Sequence, residues 1–406
     1  MASTTALYRC FNYVEIEQVP TKAHPARNKT ISLNFLHSYE VNTGWENLTG
    51  TTKIVLPKNV VAKDLQNNPV PLNGSNITIG GGSFPLFLRG DKIRLQAGYW
   101  YNNEQGQQVQ QVALLFTGYI SKVHSKMPIT LDCEDESWVL KQLKAPDKVW
   151  GNVSVQKVIQ DCIAGNKYGL TVSTLSKTEI SFNVGTFYTK NETVMQVLAR
   201  IKRVYKIGAY LKGKEIRIGY PTYYPSDVQN PLRPFQFVFQ KNIISDNLEY
   251  QRKDDILISC TAESSYVEKV GGSTKDGATK TATKKLMVFI QSDGADSFKS
   301  KKITDTSQIP QNEAGERMTF FFPFAKTTSE LTQLAENELK KKYYTGFKGS
   351  FTTFGIPFIP FGDNIKIVDP VLPDRDGIYK VKAVNYSGGV NKGIRQTIYL
   401  DYKIDA

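Results

Sequence analysis

The densest group of titratable side chains is Asp132, Glu134, Asp135 and Glu136. Two carboxylates held about 5–10 Å apart across a cleft are the minimum for glycoside hydrolysis. In Met-Pro-Ile-Thr-Leu-Asp-Cys-Glu-Asp, residues 127–135, Ile129, Leu131 and Cys133 alternate with Thr130, Asp132 and Glu134. That alternation is a strand with one wet face, on which Asp132 and Glu134 are neighbours. Asp135 then stands where it caps a short helix whose apolar face is Val139, Leu140 and Leu143. His24, His37 and His124 are too few and too scattered for histidine-led catalysis. Cys10, Cys133, Cys162 and Cys260 never form Cys-x-x-Cys and read as free, mostly buried thiols. The glycines at 80–82 are not followed by a helix start, as a phosphate cradle requires, and read as a flexible turn. Arg89-Gly90-Asp91 is a turn signal before a strand rather than an adhesion motif. These patterns predict no catalytic residue, no metal and no cofactor.

The elements that carry these residues belong to a chain of 406 residues with a formal net charge of +13, 40% hydrophobic and 11% aromatic residues. A single core stops growing beyond roughly 250–300 residues, so several modules are expected. No apolar stretch approaches the ~18 residues of a membrane helix. The opening MASTTALYRCFNY lacks the basic and apolar regions of a secretory signal, which points to a protein made in the cytosol. Lys and Arg are spread through the predicted strands and loops, with no nucleic-acid module. The excess charge suits an acidic protein partner, with DNA at most passing by.

Residues 1–145 read as short alternating strands closed by a helix, a small antiparallel barrel or sandwich. Residues 146–225 change period. Ser154 precedes the stripe Val155, Val158, Ile159, Cys162 and Ile163; Asn191 precedes Val194, Val197, Leu198, Ile201 and Val204; a hairpin turns at Gly213. This is a small α/β domain, followed by a connector punctuated by prolines 221, 225, 231 and 234. Residues 226–265 and 345–406 form a second barrel. The insertion at 266–344 holds a basic, apolar-poor stretch from Lys269 to Lys285, read as a mobile loop. It also holds a strand at Met318–Phe322 and a helix with a Thr327/Glu330 capping box. The expected fold class is α+β, mainly β: two similar small antiparallel barrels plus α/β inserts.

The two β regions echo each other. Arg89-Gly90-Asp91-Lys-Ile-Arg-Leu corresponds to Phe361-Gly362-Asp363-Asn-Ile-Lys-Ile. Thr117-Gly118-Tyr-Ile-Ser-Lys-Val corresponds to Asp376-Gly377-Ile-Tyr-Lys-Val-Lys, and each leads to a strand ending in carboxylate, ITLDCED and QTIYLDY. Gly90, Asp91, Gly118, Gly362, Asp363 and Gly377 are therefore expected to be structural turns of one motif used twice.

The segments GDKIRL, FTGYISKVHSKMPITLDCEDESWVLKQ, NIISDNLEYQRKDDILISC, ELKKKYYTGFKGSFTTFGIPFIPFGDNIKI and DGIYKVKAVNYSGG resemble phage baseplate hub proteins of the late control D or 43 kDa tail protein group. They are also similar to the hub portion of type VI secretion spike proteins. The resemblance implies a non-enzymatic structural protein of the virion tail baseplate, assembled in the host cytoplasm. It implies a homotrimeric ring whose two barrels per chain meet a sixfold tail tube protein, with a threefold face toward a central spike protein. Tape measure and other baseplate proteins would be neighbours, and DNA would pass through the channel. The sequence ends at Ala406 without a needle-like repeat, so the spike is expected to be a separate chain. A second reading is a tail-associated cell-wall hydrolase or glycan-binding protein.

Overall fold

The structure is a computed structural model that describes residues 9–404 except 58–60, 65–68, 72–75, 80–81, 104, 125, 152, 174–183, 206, 220, 222–223, 230–232, 274–278, 294–296, 311–314, 323–324 and 391. Of residues 61–64, 69–71, 76–79, 82–84, 267–273 and 279–283 the structure describes the backbone.

The first module comprises β1 (Arg9–Glu17), β2 (Thr30–Leu33), β3 (Ser38–Gly44), β4 (Thr51–Val55), β5 (Val61–Asp64), β6 (Pro69–Pro71), β7 (Asn76–Ile79), β8 (Gly82–Pro85), β9 (Lys92–Asn102), β10 (Gln108–His124) and β11 (Thr130–Glu134). Next come α1 (Ser137–Gln142), β12 (Lys148–Trp150), α2 (Val155–Ile163), β13 (Thr171–Val172), β14 (Phe187–Thr189), α3 (Val194–Tyr205), β15 (Ala209–Lys212) and β16 (Glu215–Ile218). β17 (Phe235–Val238) and β18 (Ile243–Gln251) open the second module. An insertion follows, with β19 (Ile258–Ser273), β20 (Thr279–Ser292), β21 (Phe298–Ile303), β22 (Glu316–Phe321) and α4 (Thr328–Lys340). β23 (Gly346–Phe354), β24 (Asn364–Val368), β25 (Gly377–Gly389) and β26 (Lys392–Ile404) complete the chain.

The fold is mainly β. The sequence suggests two self-contained barrels, but the described strands of both modules, apart from the separate β7–β8 hairpin, form one open fifteen-stranded sheet. Its main path runs β18-β23-β26-β25-β3-β4-β11-β10-β9-β1-β2-β5-β6, with β24 and β17 attached beside β25. One apolar core follows the sheet across both modules, from Val14, Ile31 and Leu131 to Phe237, Phe351, Val381 and Ile398. Sheet formation explains the merger: an edge strand presents unpaired backbone groups, and joining β25 to β3 removes one such edge from each module.

The α/β unit forms where its helical periods place it. Ser154 Oγ accepts the Lys157 N–H to cap α2, whose residues Val155, Val158, Ile159, Cys162 and Ile163 are buried. For α3 the cap is Thr193, whose hydroxyl accepts the Gln196 N–H while the Gln196 side chain accepts the Thr193 N–H. Asn191 lies outside the helix in the left-handed region at φ 50°, and Val204 of the expected apolar stripe is exposed. Helix α1 packs its Val139 and Leu140 into this unit's core instead of closing the first module. Tyr119 of β10 stacks on Trp138 at 4.9 Å and ties the two together.

The insertion has its own core, in which Leu331, Ala335 and Leu339 of α4 cover Cys260, Ala262, Val288 and Ile290. Its sheet order is β21-β20-β19-β22, so β19, assigned from sequence to the second barrel, pairs in the insertion instead. Thr327 caps α4 by accepting the Glu330 N–H, and Glu330 accepts the Lys326 N–H. The stretch read as a mobile loop is instead a β-ribbon, paired from Ser259↔Gln291 out to Lys269↔Thr281 and Ser273↔Thr279. Poor apolar content denies a segment its own core, yet two strands satisfy their backbones on each other, and the Thr-rich run at 279–283 suits extended chain. Residues 274–278 lie outside the described residues. Replacing 267–283 by a short turn is expected to leave the melting temperature within a few degrees, because the core strand residues remain. Thermal melts of the shortened variant check this.

Candidate assembly interface

The two Gly-Asp turns have the same hydrogen-bond pattern. Gly90, at φ 95°, donates to the Ile120 carbonyl, and Ile120 donates back to Asp91, both at 2.8 Å. Gly362, at φ 81°, donates to the Val381 carbonyl at 2.8 Å, and Val381 donates back to Asp363 at 2.9 Å. Both glycines occupy a backbone region that a side chain would strain. Past each turn the pairing stays in step: Ile93 faces Gly118 and Ile365 faces Tyr379. Both partner strands then carry a bulge at the same step, between Ile120 and Lys122 in β10 and between Val381 and Ala383 in β25. The order β3-β4-β11-β10-β9 is thereby repeated as β18-β23-β26-β25-β24.

The echo of Gly118 and Gly377 does not survive in this register. Gly118 corresponds to Tyr379, two positions from the alignment that sequence suggests, and neither glycine sits in a turn. Gly118 lies inside β10, where a Cβ would collide with the Glu134 carbonyl oxygen; Gly377 is the first residue of β25. A shared Gly before an aromatic-aliphatic pair misaligned two strands whose side chains point alternately up and down.

The two turn aspartates differ in what they hold. Asp91 is 1% exposed and receives both terminal nitrogens of the buried Arg27 guanidinium, at 3.0 and 2.5 Å, together with the Val19 and Leu88 amides. Arg27 also donates to the carbonyls of Val19, Pro85 and Leu86, so one ion pair fixes the loop before β2 against the turn. Sequence alone gave Arg27 no role, since nothing local distinguishes it. Asp363, equally buried, accepts the Gln229 and Asn364 amides through one oxygen, and among the described residues its other oxygen has no hydrogen bond. Burial raises its carboxyl above the usual range, and burial lowers nearby Lys380, which donates to Asn364 at 3.1 Å. Removing one member of a buried ion pair strands the other, which costs about 3–5 kcal/mol. Arg27→Met is expected to lose that much stability, and Arg27→Met with Asp91→Asn less. Urea unfolding of the two variants checks this.

Beyond each turn, the inner strand's edge is released. In the second module it passes to the first: Ala383–Gly389 of β25 pairs with Ser38–Gly44 of β3, in the register Ala383↔Gly44, Asn385↔Asn42 and Gly389↔Ser38. On the outer face Asn385 donates to Asn42 at 2.5 Å and to Glu40 at 3.0 Å. Thr352 and Thr397 hydroxyls meet at 2.9 Å nearby, and a shallow groove of about 600 Å³ crosses this Ser/Thr/Asn-rich surface. On the inner side the Tyr99 hydroxyl donates to the Ile394 carbonyl and accepts the Gly355 amide. Trp45 Nε1, in a separate aromatic cluster with Tyr210 and Tyr224, donates to Asp401. The backbones approach closely. A Cβ at Gly389, whose φ is 152°, would collide with the His37 carbonyl oxygen, and one at Gly388 would lie 2.5 Å from the Tyr39 hydroxyl. Gly389→Val should therefore cost on the order of 1–3 kcal/mol. It should also speed amide exchange in residues 38–44 selectively, read by hydrogen-exchange mass spectrometry.

Three of the four clustered carboxylates are held in structural contacts, whereas burial raises the carboxyl of Glu136, whose Oε2 has no hydrogen bond among the described residues. Asp132 is bound to His124 at 2.6 Å and Glu134 to Lys141 at 2.6 Å. Asp135 accepts the Ser137 and Gly50 amides, and burial raises its carboxyl. Arg89 is exposed beside the Asp91 turn, and residues 80 and 81 of the glycine run lie outside the described residues. Cys133, Cys162 and Cys260 are buried and Cys10 is exposed.

No protein-family profile matches this chain, and no curated protein does so. Its fold does have solved counterparts. It is similar to a tail protein from Neisseria meningitidis MC58, with 13% identity over 97% of each chain and a TM-score of 0.53. It is also similar to the 43 kDa tail protein of prophage MuSo2 from Shewanella oneidensis, with 11% identity over 96% of this chain and 97% of that one and a TM-score of 0.51. A chain of a Francisella PdpA–VgrG complex matches at 9% identity and a TM-score of 0.50, over 97% of this chain and 58% of that one. The fold is thus one shared with these solved tail proteins.

Proposed function

We propose that this protein is a structural baseplate hub of a phage or phage-like tail. Three copies form a closed ring that joins a sixfold tail tube to a threefold central spike. The observation that carries this reading is the repetition of one five-strand order, β3-β4-β11-β10-β9 and β18-β23-β26-β25-β24, within a single sheet. Three chains then present six equivalent units to the tube while keeping threefold symmetry toward the spike, and a heterologous ring closes without forming filaments. The two units are the barrel-type modules of that ring, and Gly90-Asp91 and Gly362-Asp363 are their equivalent turns.

The surface across the β25–β3 joint, where hydroxyls and amides stand beside the Lys382–Glu46 ion pair, suits a wall along which DNA travels without sticking, because a paired charge leaves little net attraction for phosphate. The structural use of Asp132, Glu134 and Asp135 supports a non-enzymatic role. The protein belongs in the virion tail baseplate, where tape measure and other baseplate proteins are its further neighbours. Light scattering of the purified chain, with negative-stain microscopy, is expected to give a ring of three chains. A monomer or dimer overturns the reading.

A further inference from the structure

We infer that the ring is sealed by main-chain pairing between β18 of one copy and the free edge of β10, at Lys122–His124, in the next copy. This rests on the trimer reading above and specifies the seam that trimer would use.

The argument starts from two edges. β18 ends the large sheet, paired with β23 on one side and with no described strand on the other. β10 pairs with β9 only as far as Tyr119↔Lys92, and Ile120 closes the Gly90-Asp91 turn; from Lys122 onward that edge has no described partner. Exposed edges of this kind are templates for another strand.

The chain itself contains the completed version of the same joint. β25 is the counterpart of β10, and its edge, released at the equivalent turn, is taken by β3, the counterpart of β18. Registers fix the correspondence. Lys122 and Ala383 each follow the shared bulge, so His124 matches Asn385. Tracing β18 through β23 and β26 matches Glu249 with Asn42 and Gln251 with Gly44. The internal pairs Ala383↔Gly44, Val384↔Thr43 and Asn385↔Asn42 therefore map onto Lys122↔Gln251, Val123↔Tyr250 and His124↔Glu249 between copies.

The residues at those positions fit each other. Where the internal joint has the hydrogen-bonded amides Asn385 and Asn42, the seam brings the His124 imidazole to the Glu249 carboxylate. Flanked by Asp132, 2.6 Å from His124, on one side and by Lys348, 3.1 Å from Glu249, on the other, they complete a row in which each carboxylate stands beside a nitrogen-bearing side chain. On the opposite face Val123 and Tyr250 are both only partly buried in the lone chain, and the seam covers each with the other. A second copy is the occupant these features select.

The test is a disulfide. Directly opposed residues have Cβ atoms about 4.5–5.5 Å apart, close enough for a bridge after small adjustment. In a Cys10→Ser background, His124→Cys with Glu249→Cys is expected to give covalent dimers and trimers on a non-reducing gel after mild oxidation. Neither single cysteine variant should do so. Glu249→Lys should weaken the trimer at least tenfold in light-scattering dilution series, and Glu249→Lys with His124→Glu should recover most of it. A particle that stays trimeric but does not cross-link, with charge reversals that fail to compensate, overturns the seam and leaves the hub reading standing. A chain monomeric at every concentration overturns both.

Discussion

Everything in this molecule follows from the need to pair the edges of β-strands. Each five-strand unit ends in unpaired backbone groups that form a template for another strand. The Gly-Asp turn sets where that demand arises. By starting β9 and β24 only at Lys92 and Asn364 it frees the continuing margin of β10 and β25 for a different neighbour. In one case that neighbour is within the chain, and the two modules become one sheet over one core.

The duplicated units are alike in backbone and unlike in how they hold their turns. Asp91 is neutralised by a buried guanidinium, whereas Asp363 lies near Lys380 and keeps an oxygen without a hydrogen bond among the described residues. The equivalence is thus one of main-chain geometry. Each copy has found its own side-chain solution to placing a carboxylate under a glycine turn.

Much of this was legible in the sequence, for physical reasons that can be named. Alternation exposed the strands, Ser154 and the Thr327/Glu330 pair marked helix starts, and Gly-Asp before a basic-apolar strand revealed both turns. The β25–β3 joint was not legible, because its partners lie some 340 positions apart and pair through backbone atoms that every residue carries. Arg27 was invisible for the same reason: its partner Asp91 is distant in sequence. The ribbon of β19 and β20 was missed because low apolar content signals only that a segment builds no core, and says nothing of whether it pairs.

A joint built from main-chain hydrogen bonds asks little of the letters that pass through it. At its seven opposed positions it requires small residues where a neighbour lies close, the His37 carbonyl at Gly389, the Tyr39 ring at Gly388 and the Ala383 methyl at Gly44, and tolerates almost any complementary pair elsewhere. Such an architecture can persist while its spelling is rewritten. That accounts for a chain whose shape is shared along nearly its whole length with proteins 11–13% identical, while its sequence alone matches no family profile.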